Sequence, residues 1–251
     1  MAKDELTDDD IEEIAHITRG YWNLGEGPID NLTFLMEKNG IVISGSMISS
    51  EKTDACSQIQ NGVPIVFYNK NLRSACRIRF SLAHELGHIL MHNHITATDL
   101  RDSKTLDRVE HQAYRFASAF LMPDVSFVSD IHSLALNFLI TLKEKWRTSV
   151  AAIIVRCKDL MLIDQDTYTT LWRQLSYKRW RKIEPLDDII PIESPRLLKA
   201  ALEFLINKST ISRQEILGEF SWSIDDISDI FCIQKSFFDD SPDFSTQLKL
   251  I

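Results

Sequence analysis

Apolar residues recur at helical spacing along most of the chain and form short strand-like runs in only a few places. The spacing predicts a helix over residues 8–19 and a second over residues 29–38, which ends at an Asn-Gly pair. Short strands are predicted at residues 41–43 and 63–68. The polar run 44–62 between them has no clear period. The N-terminal half is therefore predicted to combine a small sheet with helices.

From about residue 143 onward the pattern is helical. Candidate helices span residues 150–163 (with Ser149 as a possible N-cap), 167–181, 194–207, 212–220 and 224–231. We therefore predict an α+β fold in two domains. Residues 1–142 form the domain with the small β-sheet, and residues 143–251 form an all-helical C-terminal domain.

The most informative stretch is Phe80-Ser-Leu-Ala-His-Glu-Leu-Gly-His-Ile-Leu-Met-His92, which contains an HExxH motif within a helical apolar pattern. His84 and His88 are four residues apart, so on a helix they project from one face and can share one metal ion. Glu85 lies beside them and is suited to accept a proton from a metal-activated water. The motif predicts a metallohydrolase site with Glu85 as its catalytic residue.

A second helix carries an apolar stripe: Ala113, Phe116, Ala117, Phe120 and Leu121. Glu110 lies one turn earlier on the same stripe, so its carboxylate is predicted to face the core. A buried carboxylate is costly unless it is paired or binds a metal. Arg108 or Arg115 could pair with it, and a solvated glutamate at a helix start is a further possibility.

The third metal ligand has more than one candidate in the sequence. His94 has the spacing of the third histidine in HExxHxxGxxH proteins, but that motif needs glycine where this chain has Met91. His92 continues the ridge of His84 and His88, although a straight helix carries it away from the metal. Glu110, on a following helix, is the better geometric candidate, so we expect His84, His88 and Glu110 to be the metal ligands.

Composition narrows the class of protein. The net charge of −8 disfavours a chain that coats nucleic acid, and the four cysteines show no CxxC pair that could form a zinc site. The acidic N-terminus has no apolar segment of the kind found in signal peptides. No apolar run approaches the roughly 20 residues that span a bilayer. We therefore expect a cytoplasmic protein without a membrane partner.

These motifs together resemble the ImmA/IrrE metallopeptidases, a gluzincin-like family. The resemblance depends on residues 77–88 (RIRFSLAHELGH), residues 110–117 (EHQAYRFA) and the Leu-Met-Pro at residues 121–123. Two positions depart from the family pattern. Position 81 is Ser where we expect Thr. Position 114 is Tyr where we expect Asn, and this second change could alter the support around the metal. The resemblance covers most of residues 20–190.

The resemblance implies a zincin-like fold for the first domain and a zinc-dependent endopeptidase that cleaves an XRE-type helix-turn-helix repressor, releasing a mobile-element or stress operon. Mn²⁺ or Fe²⁺ could replace Zn²⁺ in such a site. Many relatives carry an N-terminal helix-turn-helix domain, which we do not expect in this sequence. We also hypothesise that the strand at residues 63–68 is an edge strand to which the substrate peptide adds.

Two other functions are compatible with the sequence. The chain could be a non-catalytic module that sequesters a repressor or toxin, with the metal site kept for structure. It could also respond to single-stranded DNA, because Trp180 is interleaved with cations within residues 178–182. A basic helix end is the more ordinary explanation of that run.

Overall fold

The computed structural model describes residues 6–47, 53–208, 210–220 and 223–238. Residues 1–5, on which the expectation of no signal peptide depends, lie outside this range, as does part of the polar run 44–62. The chain divides into two compact units, Met1–Pro195 and Arg196–Ile251.

The first unit is an α+β assembly of eight helices and three strands among the described residues. The helices are α1 (Asp8–Tyr21), α2 (Leu32–Lys38), α3 (Ala75–Met91), α4 (Ser103–Leu121), α5 (Asp124–Asp130), α6 (Leu136–Trp146), α7 (Val150–Asp159) and α8 (Gln165–Tyr177). The strands are β1 (Val42–Ser46), β2 (Ala55–Gln60) and β3 (Val63–Asn69). The predicted fold class is thus confirmed.

The sheet has the order β1-β3-β2. β3 pairs in parallel with β1 and antiparallel with β2. The prediction that residues 63–68 form an edge strand is therefore wrong, because β3 is central and β2 is an outer strand. Pro64 lies near the start of β3, where the strand pairs with Ile59 of β2 but has not yet begun its pairing with β1, which starts at Ile65.

Helices α3 and α4 carry the motif residues and pack against each other. The Ser74 side chain caps α3 by accepting a hydrogen bond from the backbone N–H of Arg77, and Asp102 caps α4 in the same way. Gly87 lies where α3 packs closely against α4. A Cβ atom there would lie 3.3 Å from the Ala113 Cα and 3.1 Å from a ring carbon of Phe116. The glycine within HELGH thus lets the second motif helix come close to the first.

The core of the first unit extends beyond residue 142. Trp146, Ile153 and Leu175 are fully or almost fully buried and belong to the same apolar cluster as Leu86 and Phe116. The compact units therefore divide at residue 195, which differs from the predicted division at residue 142. The reason is that helices α6 to α8 bury their apolar faces on the motif domain.

A buried ion cluster ties α6 to the segment that follows α8. Lys143 is fully buried, and its Nζ donates to Glu184 at 2.9 Å and to Asp187 at 2.7 Å. The Glu184 carboxylate also accepts hydrogen bonds from the backbone N–H groups of Val150 and Ala151, the first residues of α7. The Glu184 carboxylate therefore pairs with the buried Lys143 and also caps the N-terminus of α7.

The second unit contains α9 (Leu197–Asn207), α10 (Arg213–Phe220) and α11 (Ile224–Ile230), followed by a 3-10 turn (Lys235–Phe238). Its small core consists of Leu202, Ile216, Ile227, Ile233 and Phe238. The helical character predicted for this part of the chain is confirmed for its described residues. Within the described part of the whole chain, no helix is both long and apolar enough to cross a membrane.

Candidate metal centre

Three side chains converge where α3 faces α4. The Nε2 atoms of His84 and His88 lie 3.0 Å apart. The Glu110 carboxylate reaches both of them, with Oε2 at 3.2 Å from His84 Nε2 and Oε1 at 3.4 Å from His88 Nε2. Among the residues that the structure describes, this is the one group of three His, Cys, Asp or Glu side chains close enough to share an ion.

The spacing of these donor atoms fits a metal ion. Donors held about 2.0–2.1 Å from a tetrahedral ion are roughly 3.3–3.4 Å apart, close to the three distances above. Two imidazoles and one carboxylate are also the donor set of His₂Glu metallohydrolases, which leave a fourth position for water. The site therefore suits a divalent metal, and His84, His88 and Glu110 are its candidate ligands.

A chain of hydrogen bonds fixes the ring of His88. The Gln112 Nε2 donates to the Leu6 carbonyl, which turns the Gln112 Oε1 toward His92 Nε2 at 2.9 Å. Burial lowers the pKa of His92 to about 4, so its ring is neutral at pH 7. Because Gln112 Oε1 can only accept, the proton of His92 lies on Nε2 and its Nδ1 is an acceptor.

The next link in the chain is His88 Nδ1, which lies 2.9 Å from His92 Nδ1 and must donate to it. The Nε2 of His88 is then the unprotonated nitrogen, which is the form that a metal ligand requires. His84 is supported differently, because its buried Nδ1 has no hydrogen-bond partner among the described residues. The ring of Tyr114 packs against it instead, with centroids 4.7 Å apart.

We expect His92→Phe to weaken zinc binding about 10- to 100-fold, the usual cost of losing a group that orients a metal-bound histidine. Phenylalanine fills the space of the imidazole but cannot accept the proton of His88. Titration of the apoprotein against a competing zinc chelator measures the change, with His94→Ala as the control. Equal zinc affinity in wild type and His92→Phe would show that the hydrogen-bond chain does not support the site.

Glu85 lies next to His84 on α3 and faces a cleft of about 550 Å³ that His88 and Glu110 also line. Its side chain is largely buried, and its Oε2 accepts a 2.6 Å hydrogen bond from the Ser57 hydroxyl on β2. Residues Ala55 to Ile59 of that strand form one wall of the cleft. The carboxylate is thus held in position beside the candidate ligands by the outer strand of the sheet.

Glu110 does not face the core, contrary to the prediction from the apolar stripe. Its side chain is 44% exposed and borders the cleft, whereas the neighbouring Val109 is buried. The adjacent imidazoles of His84 and His88 hold the pKa of the Glu110 carboxyl well below its usual range. Arg115, one of its possible partners, pairs instead with Glu12 at 2.6 Å. The carboxylate is therefore ionised and directed at the two histidines.

The remaining histidine candidates do not belong to the group of three converging side chains. His94 is exposed and lies outside the cluster, and His92 acts on His88 rather than joining the ligand set. Sequence reasoning did not identify Ser57 or Gln112. Ser57 carries no motif signal because its strand, β2, is distant in sequence from the HExxH helix. Gln112 carries none because it is an ordinary glutamine within α4.

Comparison with known proteins relates part of the chain to a peptidase family. Residues 36–158 match the family model described as the IrrE N-terminal-like domain, peptidase family M78. No curated protein matches the chain. A solved structure named a Mycobacterium tuberculosis transcriptional regulator is similar over 59% of this chain, at 14% identity and a TM-score of 0.45. This chain covers only 46% of that protein's length.

Proposed function

Since the chain belongs to the IrrE-like peptidase M78 family through residues 36–158, we propose that it is a zinc-dependent endopeptidase. The observation that carries the proposal is the convergence of His84, His88 and Glu110 beside a further cleft-facing carboxylate, that of Glu85. A purely structural metal site does not need this second carboxylate. A hydrolytic site needs it as a base.

In this proposal His84, His88 and Glu110 hold the ion. When bound, a divalent metal supplies Lewis-acid chemistry, lowering the pKa of a water and polarising the scissile carbonyl. The carboxylate of Glu85 takes the proton from the attacking water and passes it to the leaving amine. The Ser57 hydroxyl donates to Oε2 of that carboxylate and helps to hold it in the cleft.

The substrate is proposed to bind as an extended peptide along β2. This strand lies at the edge of the sheet, and its residues line the cleft that contains Glu85. Unpaired backbone groups of an edge strand can bind a peptide by adding it as a further strand. β2 therefore takes the role first assigned to the strand at residues 63–68.

The proposed substrate is an XRE-type helix-turn-helix repressor, as the family resemblance implies, and such a substrate would place the reaction in the cytoplasm. The test is a reporter under the control of a candidate repressor from the same genome, expressed with the wild type or with His88→Ala. We expect the wild type to cut the repressor into two fragments and activate the reporter, and His88→Ala to do neither.

The competing proposal is a module that sequesters the repressor without cutting it. Reporter activation by wild type and by His88→Ala, with the repressor intact in both, would favour sequestration and contradict the peptidase. Because these proteases often show little activity alone, a panel of repressors in cells is a better assay than generic peptides. Mass spectrometry of the fragments would identify the cleaved bond.

A further inference from the structure

A second cavity, of about 470 Å³, lies beside α3 and α4 but away from the cleft that contains Glu85. Its walls come from α3, α4, α7, α8 and the segment that follows α8. Neither Glu85 nor the candidate ligands His88 and Glu110 line it. Its volume is within the usual range of small-molecule sites. We call it the Trp172 pocket.

Aromatic rings dominate the apolar part of the Trp172 pocket. Trp172 and Trp180 line it, as do Phe80 and Tyr114, whose rings lie 5.7 Å apart between centroids. Four aromatic rings around one cavity provide large flat surfaces that suit a planar ligand. Tyr114 also contacts His84, so one side of the pocket borders the candidate metal centre.

Two buried polar atoms in this pocket have no hydrogen-bond partner among the described residues. They are the hydroxyl of Ser118, a residue only 2% exposed, and the indole Nε1 of Trp172. A buried donor without a partner destabilises the folded state, so native proteins rarely keep one unless something else binds it. Both groups can donate, so they call for a ligand with acceptor atoms.

The charges at the pocket favour an anion. Each of its four acidic residues lies beside a cation: Arg77 donates to Asp54 at 2.8 Å, Lys143 donates to both Glu184 and Asp187, and Arg115 lies 3.9 Å from Asp159. Arg181 and Lys182 also line the pocket, and in the described part of the chain neither has a carboxylate within ion-pair distance.

Arg181 is also placed against an aromatic surface. Its guanidinium lies 5.5 Å from the centroid of the Trp172 ring. A cation next to an aromatic face can hold an acidic group while the ring of the same ligand stacks nearby. The basic run at residues 178–182 thus contributes two cations, Arg181 and Lys182, and the ring of Trp180 to this cavity. The proposed peptidase mechanism does not involve this run.

We propose that the Trp172 pocket binds a small organic anion with a planar ring. The ring lies against the aromatic walls, the acidic group meets Arg181 and Lys182, and acceptor atoms receive the hydrogen bonds of Ser118 and Trp172. Either an aromatic carboxylate or a nucleotide has this chemistry. The proposal does not depend on the peptidase assignment, because it concerns a separate cavity.

The test is isothermal titration calorimetry of the full chain with 1-naphthoate and with adenosine monophosphate, each beside its uncharged counterpart, 1-naphthamide and adenosine. We expect saturable binding of at least one of the two anions, and at least tenfold weaker binding of its counterpart. Which anion binds distinguishes an aromatic carboxylate from a nucleotide. No saturable binding of either anion, or equal binding of the uncharged counterpart, would overturn the proposal.

Variants locate the bound anion. The double variant Arg181→Gln/Lys182→Gln changes exposed side chains and should weaken binding at least tenfold, and Trp172→Leu should weaken it further. The matched control is Arg173→Gln/Lys178→Gln, two nearby cations that do not line the pocket, with expected affinity equal to wild type. Undiminished binding in the Arg181→Gln/Lys182→Gln variant, or an equal loss in the control, would contradict this site.

Discussion

Replacing Glu85 by Gln is expected to lower the rate of repressor cleavage about 10²- to 10⁴-fold, the usual contribution of a general base. The amide has the shape of the carboxylate and can still accept the hydrogen bond of Ser57, so the fold is retained. Because Glu85 is not one of the three converging side chains, the variant should bind as much zinc as the wild type. Fragment formation over time and bound zinc per chain give the two readouts.

The matched control for this substitution is Glu144→Gln, an exposed glutamate outside the cleft, which should cleave at the wild-type rate. The cleavage rate of Ser57→Ala is expected to lie between those of Glu85→Gln and Glu144→Gln, because Glu85 remains but loses the hydroxyl that positions it. Cleavage by Glu85→Gln at the wild-type rate would remove Glu85 from the mechanism. Loss of zinc in the same variant would mean that Glu85 supports the metal site itself.

Replacing Lys143 by Met is expected to lower the free energy of unfolding of the first unit by about 3–5 kcal/mol. The substitution fills a similar volume but leaves the carboxylates of Glu184 and Asp187 buried without their cation. Urea denaturation followed by tryptophan fluorescence measures the effect, and four of the five tryptophans lie in this unit.

Lys145→Met is the control, since the chain offers a second lysine two residues away. Its ammonium pairs with Asp130 at 2.7 Å, but its side chain is half exposed, so we expect a cost of at most about 1 kcal/mol. Adding Asp187→Asn to Lys143→Met should recover part of the stability by removing one uncompensated charge. Equal losses in the two lysine variants would show that the buried cluster has no special role.

Local sequence patterns were sufficient for the helices that carry the motifs. The start of α3 at the Ser74 cap and its single metal-facing ridge follow from residues within one helix, so both could be read from spacing. The proposed role of Glu110 also came from its position on a periodic helix. The apolar stripe did not show the direction of the Glu110 side chain, because a residue at the border of an apolar face can point into a cleft as readily as into a core.

The sheet was harder to predict from the sequence, because strand order depends on contacts between residues distant in sequence. β2 lies in the run for which no period was assigned, and most of its residues are polar or exposed, as is usual for an outer strand. Its partner β3 is short and apolar, which fits an edge or a central position equally well. Ser57 was missed for the same reason, since only the packing of β2 beside α3 brings its hydroxyl to Glu85.

The observed helix boundaries differ from the predicted ones where a capping side chain, and not the apolar period, determines the start of the helix. The second helix begins after Asn31, whose side chain accepts from the N–H of Phe34, and not at residue 29 as predicted. The fourth helix begins directly after Asp102, whose side chain caps it, well before the apolar stripe from which it was predicted. Helix α5, which begins directly after Pro123, was not predicted from the sequence.

The central claim is that His84, His88 and Glu110 form one catalytic metal site, and bound zinc per chain tests it most directly. The measurement compares the wild type with Glu110→Gln and His94→Ala, each saturated with zinc and then freed of loosely bound metal. We predict one zinc per chain in the wild type and in His94→Ala, and its loss in Glu110→Gln. Zinc kept in Glu110→Gln but lost in His94→Ala, or no zinc in any of the three proteins, would contradict the account.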